Sequence, residues 1–197
     1  MELLLEKGAS IEAMHINKWT ALHFATRWGY TDTVGLLLEK GASTEATNKY
    51  NWTPLHFAAH CGHTDTAGLL LEKGTSIEAM EINMWTPLHL AAEQGHTDTA
   101  ELLLRQGASI EAATKLSSTP LHLAVQEGNV GVVEVLLGNG ASVEVLNISN
   151  ETPLQIAAQN HHTAIVELLK SKATPVIVRG KSSWSARVAS LLKQRQK

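Results

Sequence analysis

The segment His60-Cys61-Gly62-His63 concentrates three side chains that can bind metals or act as nucleophiles. His56 precedes His60 by four positions, so on a helix the two imidazoles would share one face. A structural zinc site needs four ligands, however, and the sequence supplies no second Cys or His pair to complete this set. Nor does any Asp or Asn stand where it could orient a histidine base for Cys61. We therefore expect no metal, no cofactor and no enzymatic activity, and retain a zinc protein or metal-dependent enzyme as a remote alternative.

Composition and charge exclude several other classes of function. The 197 residues carry a formal net charge of −3, which does not indicate nucleic acid binding. The segment 175–197 contains six basic and no acidic side chains, so the rest of the chain carries −3 − 6 = −9. Cys61 is the only cysteine, no signal peptide is evident, and no apolar run approaches the ~20 residues that span a bilayer. We expect a cytoplasmic (or nuclear) protein without membrane insertion.

One tetrapeptide recurs along the chain at a constant interval. It reads Thr-Ala-Leu-His at position 20, Thr-Pro-Leu-His at positions 53, 86 and 119, and Thr-Pro-Leu-Gln at position 152. The differences between successive starts (53 − 20, 86 − 53, 119 − 86, 152 − 119) all equal 33. A second block, Leu-Leu-Leu-Glu-Lys-Gly-Ala-Ser at position 36, keeps the same period in related forms. Such a period predicts stacked supersecondary units rather than one globular core.

Each unit contains the start and stop residues of two short helices. In residues 83–115, Thr86 is a favourable N-cap and Pro87 a favourable first helical residue, and Gly95 ends the helix. A second apolar-striped helix follows and ends at Gly107. The residues from there to the next tetrapeptide are predicted to form an extended, turn-rich connection.

The period and the tetrapeptide resemble those of the ankyrin-repeat family. The resemblance implies an all-α repeat solenoid, an ankyrin-repeat array of helix-turn-helix units with projecting β-hairpins. It also implies that the tetrapeptide histidine ties hairpin to helix by hydrogen bonds. The predicted organisation is a truncated N-terminal half-repeat and hairpin (1–16), five repeats (17–49, 50–82, 83–115, 116–148 and 149–181) and a degenerate, basic capping helix (182–197).

Both ends depart from a complete repeat. At the N-terminal end, Leu3, Leu4 and Leu5 form an apolar edge. One expectation is that this edge mediates self-association, and another is that the chain is a fragment of a longer array. At the other end we expect a helix packed on the fifth repeat. A basic amphipathic segment for a membrane surface, calmodulin or nuclear import is the alternative.

We use column for the set of residues that hold the same position in successive repeats, and two columns differ from the family pattern. The family usually has Gly two residues before the Thr, a position held here by Lys18, Asn51, Met84, Ser117 and Asn150. We expect the hairpins that carry Lys, Met or Ser there to be strained or differently shaped. The family usually has Asn where every unit here has Glu, which argues against asparaginyl hydroxylation.

The aromatic residues are the strongest indication of function. Trp19, Trp52 and Trp85 precede the Thr in the first three repeats, and Trp and Arg dominate interface energetics. By position, the resemblance implies a concave binding face that is aromatic and apolar in repeats one to three and polar in the last two. The candidate protein-binding residues are Trp19, Arg27, Trp28, Lys49, Tyr50, Trp52 and Trp85. The tryptophans could also serve to pack neighbouring hairpins, so both roles stay open.

The predicted function is therefore a non-enzymatic protein–protein interaction module, whose partner the sequence does not identify. The alternative is a targeting or regulatory fragment of a larger protein whose effector domain lies outside this chain.

Overall fold

The computed structural model describes residues 10–172, which form ten helices and no strand. Each repeat contributes a first and a second helix. In chain order these are α1 (Ala21–Arg27), α2 (Thr31–Glu39), α3 (Pro54–Cys61), α4 (Thr64–Glu72), α5 (Pro87–Gln94), α6 (Thr97–Arg105), α7 (Pro120–Glu127), α8 (Val130–Gly138), α9 (Pro153–Gln159) and α10 (Thr163–Lys172). The predictions for the edge at Leu3–Leu5 and for the capping helix at 182–197 lie outside the described residues. Among the described helices, none combines the length and apolarity that crossing a membrane requires.

The first helices pack side by side in one layer, and the second helices form a layer behind them. Each layer buries one leucine column at the interface between units. The first-helix column is Leu22, Leu55, Leu88, Leu121 and Leu154, and the second-helix column is Leu37, Leu70, Leu103, Leu136 and Leu169. Fully buried alanine pairs such as Ala91 and Ala92 let adjacent first helices approach closely. The solenoid predicted from the period is thereby confirmed.

The tetrapeptide builds a helix cap and a link between units at once. In the second repeat, the backbone N–H of Thr53 donates to Nδ1 of His56 at 3.1 Å. Since that N–H can only donate, Nδ1 carries no proton, and the single ring proton lies on Nε2. Nε2–H then donates to the carbonyl of Trp85, one repeat ahead, at 3.1 Å. The histidine is therefore a neutral connector, as the resemblance implied.

The same connector occurs in four of the five repeats. Nε2 of His23, His89 and His122 donates to the carbonyls of Trp52, Ser118 and Glu151 at 3.1, 3.2 and 3.2 Å. In the fifth repeat, Gln155 makes the same cap, because its Oε1 accepts from the Thr152 N–H at 2.8 Å. The carbonyl that a link from this position would reach lies outside the described residues.

The connections expected as β-hairpins are tight stacked turns, each closed by one short antiparallel backbone pairing. Asn51 N–H donates to Asn48 O at 3.0 Å, and Asn48 N–H donates to Trp52 O at 3.1 Å. That pairing is too short to form strands in residues 10–172. Successive turns are joined by one backbone bond, such as Lys49 N–H to Asn17 O at 3.0 Å.

All five turns have one shape, so the prediction of differently shaped turns is wrong. Lys18, Asn51, Met84, Ser117 and Asn150 all have a left-handed φ, between 55° and 64°. A side chain at such a φ costs roughly 1–2 kcal/mol unless it is Asn or Asp. The left-handed φ of Lys18, Met84 and Ser117 agrees with the alternative expectation, that the turns carrying these residues are strained.

The glutamate column forms a second link between units. Oε1 of Glu12, Glu45, Glu78 and Glu111 accepts the backbone N–H of the serine one repeat ahead, at 2.6–2.8 Å. From the sequence alone, this column was notable only because Glu stands where the family usually has Asn. The longer carboxylate side chain reaches a backbone donor in the next unit.

Replacing Met84 with Gly should stabilise the array by about 1 kcal/mol, because Gly adopts this φ without steric cost. Met84 is 40% exposed, so little packing is lost. Urea unfolding measures the change. Asn51→Gly is the matched control and should gain less, since Asn tolerates the left-handed region. A loss of stability in Met84→Gly would contradict the assignment of strain.

Stability should fall as the pH drops from about 6.5 to 4. Burial lowers the pKa of both His56 and His89 to about 4. Between that value and the ordinary 6.5 the unfolded chain binds more protons than the folded one, so acid favours unfolding. Each of these histidines should contribute a loss of roughly 3 kcal/mol by pH 4.

His89→Gln tests this link, because the chain itself uses Gln at the equivalent position 155. The variant should lose about 1 kcal/mol or more at pH 7, where it lacks the bond to Ser118 O. Its urea midpoint should then depend less on pH between 6.5 and 4 than that of the parent. An unchanged pH dependence would show that His89 does not titrate on unfolding.

Candidate protein-binding surface

Two of the four candidate zinc ligands, His56 and His63, are occupied by structural hydrogen bonds. Both ring nitrogens of His56 are bonded, and Nε2 of His63 donates to the carbonyl of Arg27 at 3.1 Å. Burial raises the pKa of the Cys61 thiol, which opposes thiolate formation. Within residues 10–172, no three His, Cys, Asp or Glu side chains are grouped to hold a metal ion. His56 and His63 therefore serve as links between repeats.

His63 belongs to a further column of links that sequence reasoning did not assign. His96 and His162 donate from Nε2 to the carbonyls of His60 and Gln126, at 3.0 and 3.2 Å. The ring of His96 lies so close to Gly62 that a Cβ there would come within 2.5 Å of it. The glycine that each ring approaches lies one repeat earlier, Gly29 for His63, Gly62 for His96 and Gly128 for His162, and this pairing of columns was the signal that could have revealed the contact.

We call the surface formed by the turns and the exposed C-terminal ends of the first helices the turn face. Trp19, Trp52 and Trp85 lie along it, each partly buried. The ring of Phe57 is held between two of them, with centroids 4.5 Å from Trp19 and 4.8 Å from Trp52. The tryptophans therefore pack neighbouring units and also present part of each ring to solvent.

The remaining candidate residues form two groups around exposed aromatic rings. The Arg27 guanidinium lies over Trp19 at 5.5 Å and over Trp28 at 5.9 Å from the ring centroids. At the second turn, Nζ of Lys49 lies 4.8 Å from the centroid of the Tyr50 ring. All three distances are within the range of cation–π attraction. The structure thus brings Trp19, Arg27 and Trp28 together, and pairs Lys49 with Tyr50.

A cleft of about 250 Å³ opens between the second and third repeats on this face. Its lining residues are Trp52, His60, Glu81, Asn83, Trp85, Leu90 and Glu93. The His60 ring meets Trp52 edge-on, with centroids 5.3 Å apart. Glu81 is buried, and its Oε1 accepts the N–H groups of Asn83 and Trp85 at 2.6 and 3.3 Å. Sequence reasoning missed Glu81 and Leu90, because neither is periodic in character.

The expected contrast between the two halves of the face is clearest for aromatic residues. In the described part of the chain, the exposed Phe, Tyr and Trp rings are Phe24, Trp28, Tyr30 and Tyr50, all in the first two repeats. Leu116 and Ile148, the two apolar members of the otherwise polar set expected in the last two repeats, are 61% and 63% exposed. These aliphatic side chains therefore add apolar surface at the turn tips of that half.

Comparisons with known proteins agree with this architecture. A family model described as ankyrin repeats (3 copies) matches residues 1–81 and 78–147, and a single ankyrin-repeat model matches residues 149–180. No curated protein matches the chain. The family matches cover well over half of the sequence, and they coincide with the helix pairs and stacked turns described above. The chain belongs to the ankyrin-repeat family.

Proposed function

We propose that this chain binds a protein partner through its turn face, without enzymatic activity, and that the centre of the interface lies on repeats one to three. The observation that carries the proposal is the row of partly buried tryptophans flanked by Arg27, Trp28 and Tyr50. Ankyrin repeats are in general protein–protein interaction modules, which agrees with this use.

The backbone of this row is held rigidly, which favours binding. The carbonyls of Trp52 and Trp85 each accept a bond from a buried histidine of the preceding repeat. The Phe57 ring between Trp19 and Trp52 also restrains these two indoles, so they lose little conformational freedom when a partner packs on them. Trp and Tyr also combine a large apolar area with a polar group, as interface hot spots commonly do.

A cytoplasmic or nuclear location is part of the same proposal. Cys61 is the single cysteine, and its thiol would stay reduced there. The partner is a protein that such a compartment contains, and its identity must come from experiment.

Trp52→Ala should weaken partner binding by about thirtyfold or more, the effect of removing roughly 2 kcal/mol from a hot spot. A partner captured with the full chain and identified by mass spectrometry would be titrated by calorimetry. Because Trp52 also packs on Phe57, Tyr50→Ala is measured beside it. Tyr50 is 48% exposed at a turn tip, so its loss should reduce affinity without reducing stability.

Gln126→Ala is the control, since Gln126 is exposed and lies two repeats beyond His60 in the same column. It should leave affinity unchanged. The proposal fails if Tyr50→Ala binds normally while Trp52→Ala loses binding only in proportion to lost folded protein. The tryptophan row would then be purely structural.

A further inference from the structure

The cleft between repeats two and three exists because one aromatic column is interrupted. Phe57 fills the space between Trp19 and Trp52. Leu90 holds the equivalent position between Trp52 and Trp85, where it is 3% exposed and lines the cleft. A leucine side chain is shorter than a phenylalanine ring, so it leaves the space beside the two indoles open.

The residue near the C-terminal end of the first helix also changes from repeat to repeat, from Arg27 to His60 to Glu93. In repeat one, the guanidinium of Arg27 lies over the Trp19 ring. In repeat two, the edge of His60 meets Trp52. In repeat three the position is Glu93, which lines the cleft with Trp85. The chain thus supplies a cation to the first indole and an anion beside the third.

The cleft carries negative charge that the described part of the chain does not neutralise. Glu81 and Glu93 both line it, and the only ion pair within residues 10–172 is Lys170–Glu167. Burial lowers the pKa of His60, so that imidazole adds no positive charge near pH 7. Its Nδ1 is buried without a hydrogen-bond partner in residues 10–172. The lining residues therefore combine aromatic walls with carboxylates and include no Lys or Arg. Arg27 of repeat one, whose charge acts on His60, lies over Trp19 and does not line the cleft.

We propose that this cleft receives an arginine side chain of the protein partner, with its guanidinium against the indoles and its N–H groups directed to Glu81 and Glu93. The proposal rests on the proposed function. In this arrangement the partner's arginine would contact an indole of the cleft in the way that Arg27 contacts Trp19 within repeat one. The net charge of −9 on the chain before position 175 would also attract a basic partner segment.

Arginine fits better than the other common side chains. Its guanidinium is planar, so it can stack on an indole and still present a fork of donors to carboxylates. Lysine offers a compact, strongly hydrated charge without the flat surface. An apolar side chain would bring no counter-charge to the carboxylates of Glu81 and Glu93, and an acidic one would be repelled.

The probe is the blocked peptide acetyl-Gly-Ser-Arg-Ser-Gly-amide, titrated into the full chain and followed by NMR of the indole N–H signals. The Trp52 and Trp85 signals should shift more than the Trp19 signal, with a Kd of roughly millimolar order for one cation–π and charge-assisted contact. The same peptide with citrulline, which keeps the shape and removes the charge, should bind at least about tenfold more weakly. Equal binding of the two peptides, or no shift at Trp52 and Trp85, overturns the proposal.

Two variants copy the other repeats into this cleft. Glu93→Arg recreates the arrangement of repeat one, and Leu90→Phe that of repeat two; each should abolish the shifts induced by the arginine peptide. Glu101→Gln removes an exposed carboxylate on α6 and should change nothing. Urea midpoints establish whether each variant folds. If Leu90→Phe does not fold, the result for Glu93→Arg alone decides the outcome.

The captured partner separates this proposal from the one on which it rests. If Trp52→Ala and Tyr50→Ala weaken the partner while Glu93→Arg does not, the turn face binds protein but the arginine pocket is wrong. If all three variants bind the partner normally, both proposals fail. A loss in all three, together with the peptide result, supports both.

Discussion

A single hydrogen bond, from Nε2–H of the tetrapeptide histidine to a carbonyl one repeat ahead, determines how each unit meets the next. The bond requires a neutral imidazole, since Nδ1 must accept the backbone N–H of the capping threonine. One buried ring therefore begins a helix and positions the following turn. In the first two repeats the carbonyl it reaches belongs to Trp52 and Trp85, so the link that stacks the units also places the candidate binding residues.

Other polar columns extend this principle, and seven of the ten histidines donate a hydrogen bond to another repeat. Glu45 reaches the N–H of Ser76, and His96 reaches the carbonyl of His60. Each such bond satisfies a backbone group that a short helix or turn would otherwise leave unpaired. Because every link joins nearest neighbours only, the array gains stability unit by unit, as a solenoid does.

The fold was predictable because its determinants are local and periodic. The capping threonines and the leucine columns recur in every repeat, and the glycines that end the helices recur in the first four. The turns were predicted less well. The backbone of Met84 adopts a left-handed φ against its own preference, because the bonds of the neighbouring turns fix the shape. The cleft was missed for a different reason. It depends on residues one repeat apart, such as Trp52 and Trp85, and on a Leu where the previous repeat has Phe, so only a comparison between columns could have revealed it.

The departures from the repeat, rather than the repeat itself, distinguish one part of the turn face from another. Trp19 is covered by the chain's own Arg27, whereas Trp85 has Glu93 in the corresponding place. An indole whose ring face already contacts a cation of the same chain attracts a cation of the partner less strongly, because that face is covered. An indole beside a carboxylate keeps its face open to such a cation. The scaffold thus presents similar rings at regular spacing, and the side chain at the end of each first helix decides whether a ring is satisfied internally or left for a partner. Selectivity in such an array can therefore change by single substitutions that leave every link between the units intact.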